Sequence, residues 1–265
     1  MNAHADTAAP RPGDTYVQSF ARGLQVVRSF SAEAPRQTLS EVAQRAGLTR
    51  AGARRILLTL QTLGYVESDG KWFRLTPRIL DLGFAYLSSM PIWNLAEPEV
   101  EALVDRVKES SSIAVLDGTE IVYVMRVPTH KIMKISLGIG SRLPAFCTSL
   151  GRVLLSGLED SEIVRRLEAA PRTELTRHTV TDPATLLRRI QQVRKQGWCV
   201  VNQELEEGLI SVAAPLYGVG GQVTAALNLS GQANRTDARA MQEQLLPPLL
   251  ETAQTISQLL RRKGN

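Results

Sequence analysis

Two cysteines, Cys147 and Cys199, and three scattered histidines are too few for a disulfide framework or a four-ligand zinc site in 265 residues, so no metal is expected. No apolar run approaches the roughly eighteen residues that a spanning helix needs, and the N-terminus lacks the basic-then-apolar pattern of a secretory leader. The expectation is a cytoplasmic protein with no membrane partner. Nucleotide-binding loops are missing too. Gly138-Ile139-Gly140 and Gly218-Val219-Gly220-Gly221 complete neither G-x-G-x-x-G nor a phosphate loop with its lysine, and they read as turns. Gly151 follows Ser149 without a G-x-S-x-G elbow, no histidine is recognisably paired, and acid, base and nucleophile nowhere cluster. No catalytic residue and no cofactor are therefore predicted.

What the chain does have is an ordered set of signals from Thr38 to Trp72. Thr38 and Glu41 have the spacing of a capping box, in which each side chain satisfies a free backbone amide at a helix start. Leu39, Val42, Ala43 and Ala46 share one face, and Gly47 supplies the left-handed conformation that ends a helix and turns the chain. Thr49 caps the next helix. Its positions Ala53, Ile56, Leu57, Leu60 and Leu63 recur at core spacing, while Ala51, Arg54, Arg55, Leu58 and Thr62 lie on the open side. From Val42 to Leu60 there are four arginines and no acidic residue. Two β-prone runs, Tyr65 to Glu67 and Trp72 to Leu75, flank an Asp69-Gly70 turn signal. Upstream, Ser19 suits the cap of a helix through Leu24, Val27 and Phe30. The sum is a winged helix-turn-helix for double-stranded DNA, with Thr49, Arg50, Ala51, Arg54, Arg55, Thr59, Lys71 and Arg74 as candidate contacts. A formal net charge of +5 fits a polyanionic partner.

The rest of the chain is long enough for a second core. Residues 1–15 read as a disordered tail, 16–76 as the DNA-binding domain, 77–94 as a linker helix opened by Thr76-Pro77, and 95–265 as a further domain. A second helix is expected from about Leu95 to Ser110. Strand-like runs follow at Ser112–Leu116, Glu120–Val124, Met133–Leu137, Cys199–Gln203, Ile210–Leu216 and Gln222–Leu229. Amphipathic helices are expected at Leu150–Gly157, Ser161–Ala169, Pro183–Gln196 and Arg235–Arg262. A mostly antiparallel sheet covered by helices places the chain in the α+β class.

Four phrases, TLSEVAQRAGLTRAGARRILLTL, GYVESDGKWFRLTPRILDLG, LGIGSRLPAFCTSLGRVLLSGL and GWCVVNQELEEGLISVAAPLYGVGGQVTAALNLSG, closely resemble the IclR family of bacterial transcription regulators. The similarity covers nearly everything after the tail. YVQSFARGLQVVRSF with CTSLGRVLLSGL resembles the branch that controls aromatic-acid breakdown through protocatechuate and β-ketoadipate. The resemblance implies a GAF-like effector domain that binds a small organic acid, and a homodimer or tetramer formed through the DNA-binding and linker regions. It places the pocket lining at the loop from Leu143 to Gly151 and at Val201, Ser211, Asn228 and Ser230. Better-known members carry an acidic residue at the Val201 position and a cysteine at the Ser211 position, so a glyoxylate- or pyruvate-type ligand does not fit this chain.

Read without the resemblance, Phe146, Thr148, Ser149, Ser211, Asn228 and Ser230 supply an aromatic wall and neutral hydrogen-bonding groups suited to a small carboxylate. Thr148 and Ser149 equally suit capping a helix at Leu150, and Asn228 and Ser230 equally suit a sheet edge. Arg142, Arg126, His130 and Lys131 are candidate charged partners for the acid. The expected function is a regulator whose operator binding, or contact with RNA polymerase if it activates, responds to an aromatic-acid or β-ketoadipate pathway metabolite. One alternative is an IclR-type repressor for an unrelated acid. Another is an enzyme whose α+β domain turns over a small acid while the basic helix is incidental.

Overall fold

The structure, a computed structural model, describes residue 13 and residues 15–89, 92–129 and 137–263. The chain divides into two units, Met1–Tyr86 and Leu87–Asn265, with the division inside the span expected as a linker. The expected tail and the candidates His130 and Lys131 lie outside the described residues, apart from residues 13 and 15 of the tail.

The first unit runs α1 (Gln18–Arg28), β1 (Arg36–Thr38), α2 (Leu39–Arg45), α3 (Arg50–Thr62), β2 (Val66–Ser68) and β3 (Trp72–Leu75). The capping box forms: the Thr38 amide donates to Glu41 Oε2 at 2.7 Å and the Glu41 amide to Thr38 Oγ1 at 3.4 Å. Gly47 has φ +64°, where a Cβ would be strained, and it turns the chain into α3. There the Gly52 amide donates to Thr49 Oγ1 at 3.1 Å. Ala53 and Leu57 pack with Val26, Val42 and Phe73 into a small core. Leu63, expected on that face, is 52% exposed because α3 ends at Thr62. Ser19 does not cap α1, which starts at Gln18, and Val26 rather than Leu24 fills the core. The sheet has order β1-β3-β2. Strand β1 was not expected, since three residues carry no readable period.

The wing turn is held by Asp69, whose Oδ1 accepts from the amides of Lys71 and Trp72 at 3.1 and 2.8 Å. Thr76 makes no helix cap. Its hydroxyl donates to the Gly64 carbonyl at 2.6 Å, and a single 3₁₀ turn at Pro77–Ile79 leads into α4 (Leu80–Ser89).

The second unit begins with α5 (Ile92–Val107), followed by β4 (Ser110–Asp117), β5 (Glu120–Val127), β6 (Arg142–Pro144), α6 (Ser149–Ser156), α7 (Asp160–Ala169) and α8 (Pro183–Gln196). Then come β7 (Cys199–Asn202), β8 (Leu209–Tyr217), β9 (Val223–Gln232), α9 (Ala238–Ala240) and α10 (Leu246–Lys263). Six antiparallel strands form one sheet in the order β6-β5-β4-β9-β8-β7. Helices α5 and α10 cover one face, and α6, α7 and α8 the other. Of the strand expected at Met133–Leu137, only Leu137 is described, and it is not in a strand. The long C-terminal helix is interrupted by a π-helical turn at Met241–Leu245, directly before Pro247 and Pro248, which lack the amides an α-helical ladder needs.

Candidate functional site

Two regions carry the chemistry. On α3, core packing through Ala53 and Leu57 turns Arg50, Ala51, Arg54 and Arg55 to solvent. None of these arginines is paired with a carboxylate among the described residues, so the face keeps its full positive charge. Thr59 is also exposed, with its hydroxyl bonded to the Arg55 carbonyl at 2.9 Å. On the wing, Lys71 Nζ lies 5.5 Å from the centre of the Trp72 ring and the Arg36 guanidinium 4.9 Å from it. Arg74 differs from the rest, since its Nε donates to Glu67 Oε1 at 2.6 Å. Its charge is already partnered.

In the second unit, a small cavity of about 20 Å³ lies between the sheet and the start of α6. Its floor is polar. Ser149 Oγ and Ser211 Oγ are 2.8 Å apart, and Asn228 donates to Ser230 Oγ at 2.9 Å while its Oδ1 accepts from the Ser112 amide at 3.0 Å. Asn228 is thus fixed by β4 at the centre of the sheet, not at an edge. Thr148 caps α6, accepting from the Gly151 amide at 3.1 Å. The amides of Ser149 and Leu150 remain at the helix start, oriented to favour an anion. Gly151 is required there, because a Cβ on it would lie 2.1 Å from the Ala145 carbonyl oxygen.

Behind the cavity, Arg152 and Glu204 form a buried ion pair with contacts of 2.8 and 2.6 Å. Arg152 Nε also donates to the Phe146 carbonyl at 2.8 Å, and Arg189 and the Val180 amide reach Glu204 at 3.1 and 3.2 Å. Although Glu204 lines the cavity, its charge is consumed by these partners. Tyr123 closes another wall, and burial pushes its phenol up to about 12. Burial likewise pushes the Cys147 thiol up to about 12, leaving it protonated and unreactive near neutral pH.

Residues 84–258 match the family described as bacterial transcriptional regulator IclR C-terminal, and residues 19–70 match the IclR helix-turn-helix domain. The chain belongs to the IclR family. A Pca regulon regulatory protein from Pseudomonas putida is 41% identical to it over 242 residues, or 91% of this chain and 83% of that one. A p-hydroxybenzoate hydroxylase transcriptional activator from Acinetobacter baylyi is 35% identical over 263 residues, 97% of each. The crystal structure of an IclR homologue from Microbacterium hydrocarbonoxydans, complexed with 4-hydroxybenzoate, has a TM-score of 0.80 at 25% identity and covers 92% of this chain and 99% of that one. This IclR-family protein is a DNA-binding transcriptional regulator.

Within this regulator, the structure brings Thr148, Ser149, Val201, Ser211, Asn228 and Ser230 together around one cavity. Arg142 is not among them. It sits on edge strand β6 with Nε on Glu120 and Nη2 on Asp117, each at 2.7 Å, so its charge is already partnered by two carboxylates. Phe146 also stands apart, 2% exposed in the core beneath the loop, and the aromatic wall comes from Tyr123 instead. Glu204, Leu205, Leu209 and Tyr123 were missed, as was Arg152 behind them. Of these, a carboxylate followed by leucine in the turn before β8 is the one signal that sequence alone offered.

Proposed function

We propose that this regulator binds its operator as a homodimer and that a small aromatic acid in the second unit controls that binding. The observation that carries the reading is the cavity at the start of α6, where two backbone amides meet a floor of neutral hydroxyls and one amide. Such a lining suits a monocarboxylate with a ring and a polar substituent. The names of the Pseudomonas putida and Acinetobacter relatives, and the 4-hydroxybenzoate in the Microbacterium homologue, support the same ligand class.

On this reading Thr49, Arg50, Ala51, Arg54, Arg55, Thr59 and Lys71 contact DNA, with Arg74 in a supporting place. The exposed apolar side chains of α1 and α4 form the dimer contact, among them Phe20 at 68%, Leu80 at 69% and Phe84 at 67% exposure. The functional division is a DNA-binding part at 16–76, a linker at 77–94 and an effector part at 95–265, working in the cytoplasm where the operator is. If the protein activates, RNA polymerase is a further partner.

Calorimetry with protocatechuate, 4-hydroxybenzoate and β-ketoadipate tests the effector, together with selection of bound genomic fragments at a stated salt concentration. Saturable heat with one acid, and a shift in operator affinity on adding it, is expected. Heat from none of the three points to an unrelated acid and overturns the aromatic-acid reading.

A further inference from the structure

Strand β5 contains an irregularity that decides which of its side chains reach the cavity. Its register with β4 shifts between Ile113 and Ala114, so that Ser112 lies opposite Arg126 while Ala114 lies opposite Tyr123. In a regular strand, residues three apart point to opposite faces. The extra residue removes that alternation. Val124 and Met125 both fall in the core under α5 and α10, whereas Tyr123 belongs to the core under α6. Tyr123 and Arg126 therefore share that face of the sheet, and Arg126 Nη1 rests 3.4 Å from Ser112 Oγ.

Tyr123 is 5% exposed and lines the cavity, yet its hydroxyl makes no hydrogen bond among the described residues. A phenol that faces a cavity and has no protein partner is free to hydrogen-bond a ligand group, as donor or acceptor. Its position is specific. The start of α6 is pinned over β8 by the Ser149–Ser211 contact, and β5 lies three strands away, or about 14 Å between strand axes. The residues in register beside Tyr123 are Ala114 and then Ala226, both small enough to leave its ring room toward the cavity. Arg126 stands behind the lining and adds positive potential without contacting the cavity.

We propose that Tyr123 is a specificity-determining residue that hydrogen-bonds a hydroxyl on the ring position remote from the acid, so the cavity selects 4-hydroxybenzoates over benzoate. This rests on the aromatic-acid reading above. A neutral phenol both donates and accepts, as does the ligand hydroxyl, and burial keeps Tyr123 neutral at all physiological pH. A site built around such a bond discriminates against analogues that leave it unmade.

The test is calorimetry on the full chain, wild type and Tyr123→Phe, with 4-hydroxybenzoate, benzoate and 4-methylbenzoate. Wild type is expected to favour 4-hydroxybenzoate over both analogues by about tenfold or more. Tyr123→Phe is expected to lose that preference while its affinity for benzoate is unchanged. Retention of the preference in the variant overturns the proposal, as does an equal loss for all three acids, which marks a merely structural role. Equal binding of 4-methylbenzoate and 4-hydroxybenzoate by wild type overturns it without any variant. If wild type binds none of these acids nor the two other pathway acids, the effector reading itself falls.

Discussion

Arg152 on α6 and Glu204 after β7 face each other across 2.6 and 2.8 Å, with side chains 3% and 6% exposed. Removing one partner leaves the other charged and buried, which costs about 3–5 kcal/mol. Glu204→Ala is therefore expected to lower stability by that order in urea unfolding of the full chain, and Arg152→Met by a similar amount. Because the same arginine holds the Phe146 carbonyl, Arg152→Met also loosens the loop that leads into α6. The double variant Arg152→Met with Glu204→Ala is expected to be less unstable than the sum of its parts. Additive losses would show that the two residues do not act as a pair.

The arginines of α3 differ from that of the wing in how free they are. Arg54→Ala is expected to weaken operator binding by on the order of 1–3 kcal/mol where it reads a base. Arg74→Ala, already compensated by Glu67, is expected to lose less. Titrations of labelled operator at several salt concentrations check both, and equal losses would mean that DNA takes Arg74 away from Glu67.

Phe84 is 67% exposed on α4, an unusual position for so large an apolar side chain. If it lies in the contact between copies, Phe84→Asp is expected to shift the mass measured by light scattering toward the monomer and to weaken operator binding. An unchanged mass would move the contact elsewhere.

Glu162 has its carboxyl drawn down from 4.5 to about 2, first by the hydrogen bond from Arg165 and then by that from Arg166. A group depressed on folding contributes stability that is complete above its ordinary value and is lost as pH falls toward the folded one. The second unit is thus expected to lose stability between about pH 4.5 and 2, and Glu162→Gln to flatten that slope. Arg166 also reaches the Gly118 carbonyl at 2.6 Å, so the loss loosens α7 from the β4–β5 turn. Thermal melts of both forms across this range decide it.

Much of the fold was legible because its signals are local. The capping box of Thr38 and Glu41, the Gly47 turn, the Thr49 cap and the Asp69-Gly70 wing depend on residues a few positions apart, and each forms as read. Strand alternation and helical period likewise located β4, β5, β7, β8 and β9 and the helices between them to within a few residues. Local patterns failed where the outcome rests on distant partners. Arg142 reads as a free cation until Asp117 and Glu120 occupy it, and Thr76 reads as a cap until Gly64 takes its hydroxyl.

The amino-acid order alone determined that this chain carries a basic helix-turn-helix with a wing and a second domain built on an antiparallel sheet. Spacing sets caps, turns and apolar faces without help from the rest of the molecule. The tertiary structure decided which polar groups meet in the cavity. Ser149 and Ser211, 62 positions apart, touch only because α6 packs on β8, and Glu204 is neutralised because α6 brings Arg152 and α8 brings Arg189 to it. Tyr123 faces the same side as Arg126 only because of a one-residue register shift against β4, which pairing across strands imposes and no period within β5 reveals.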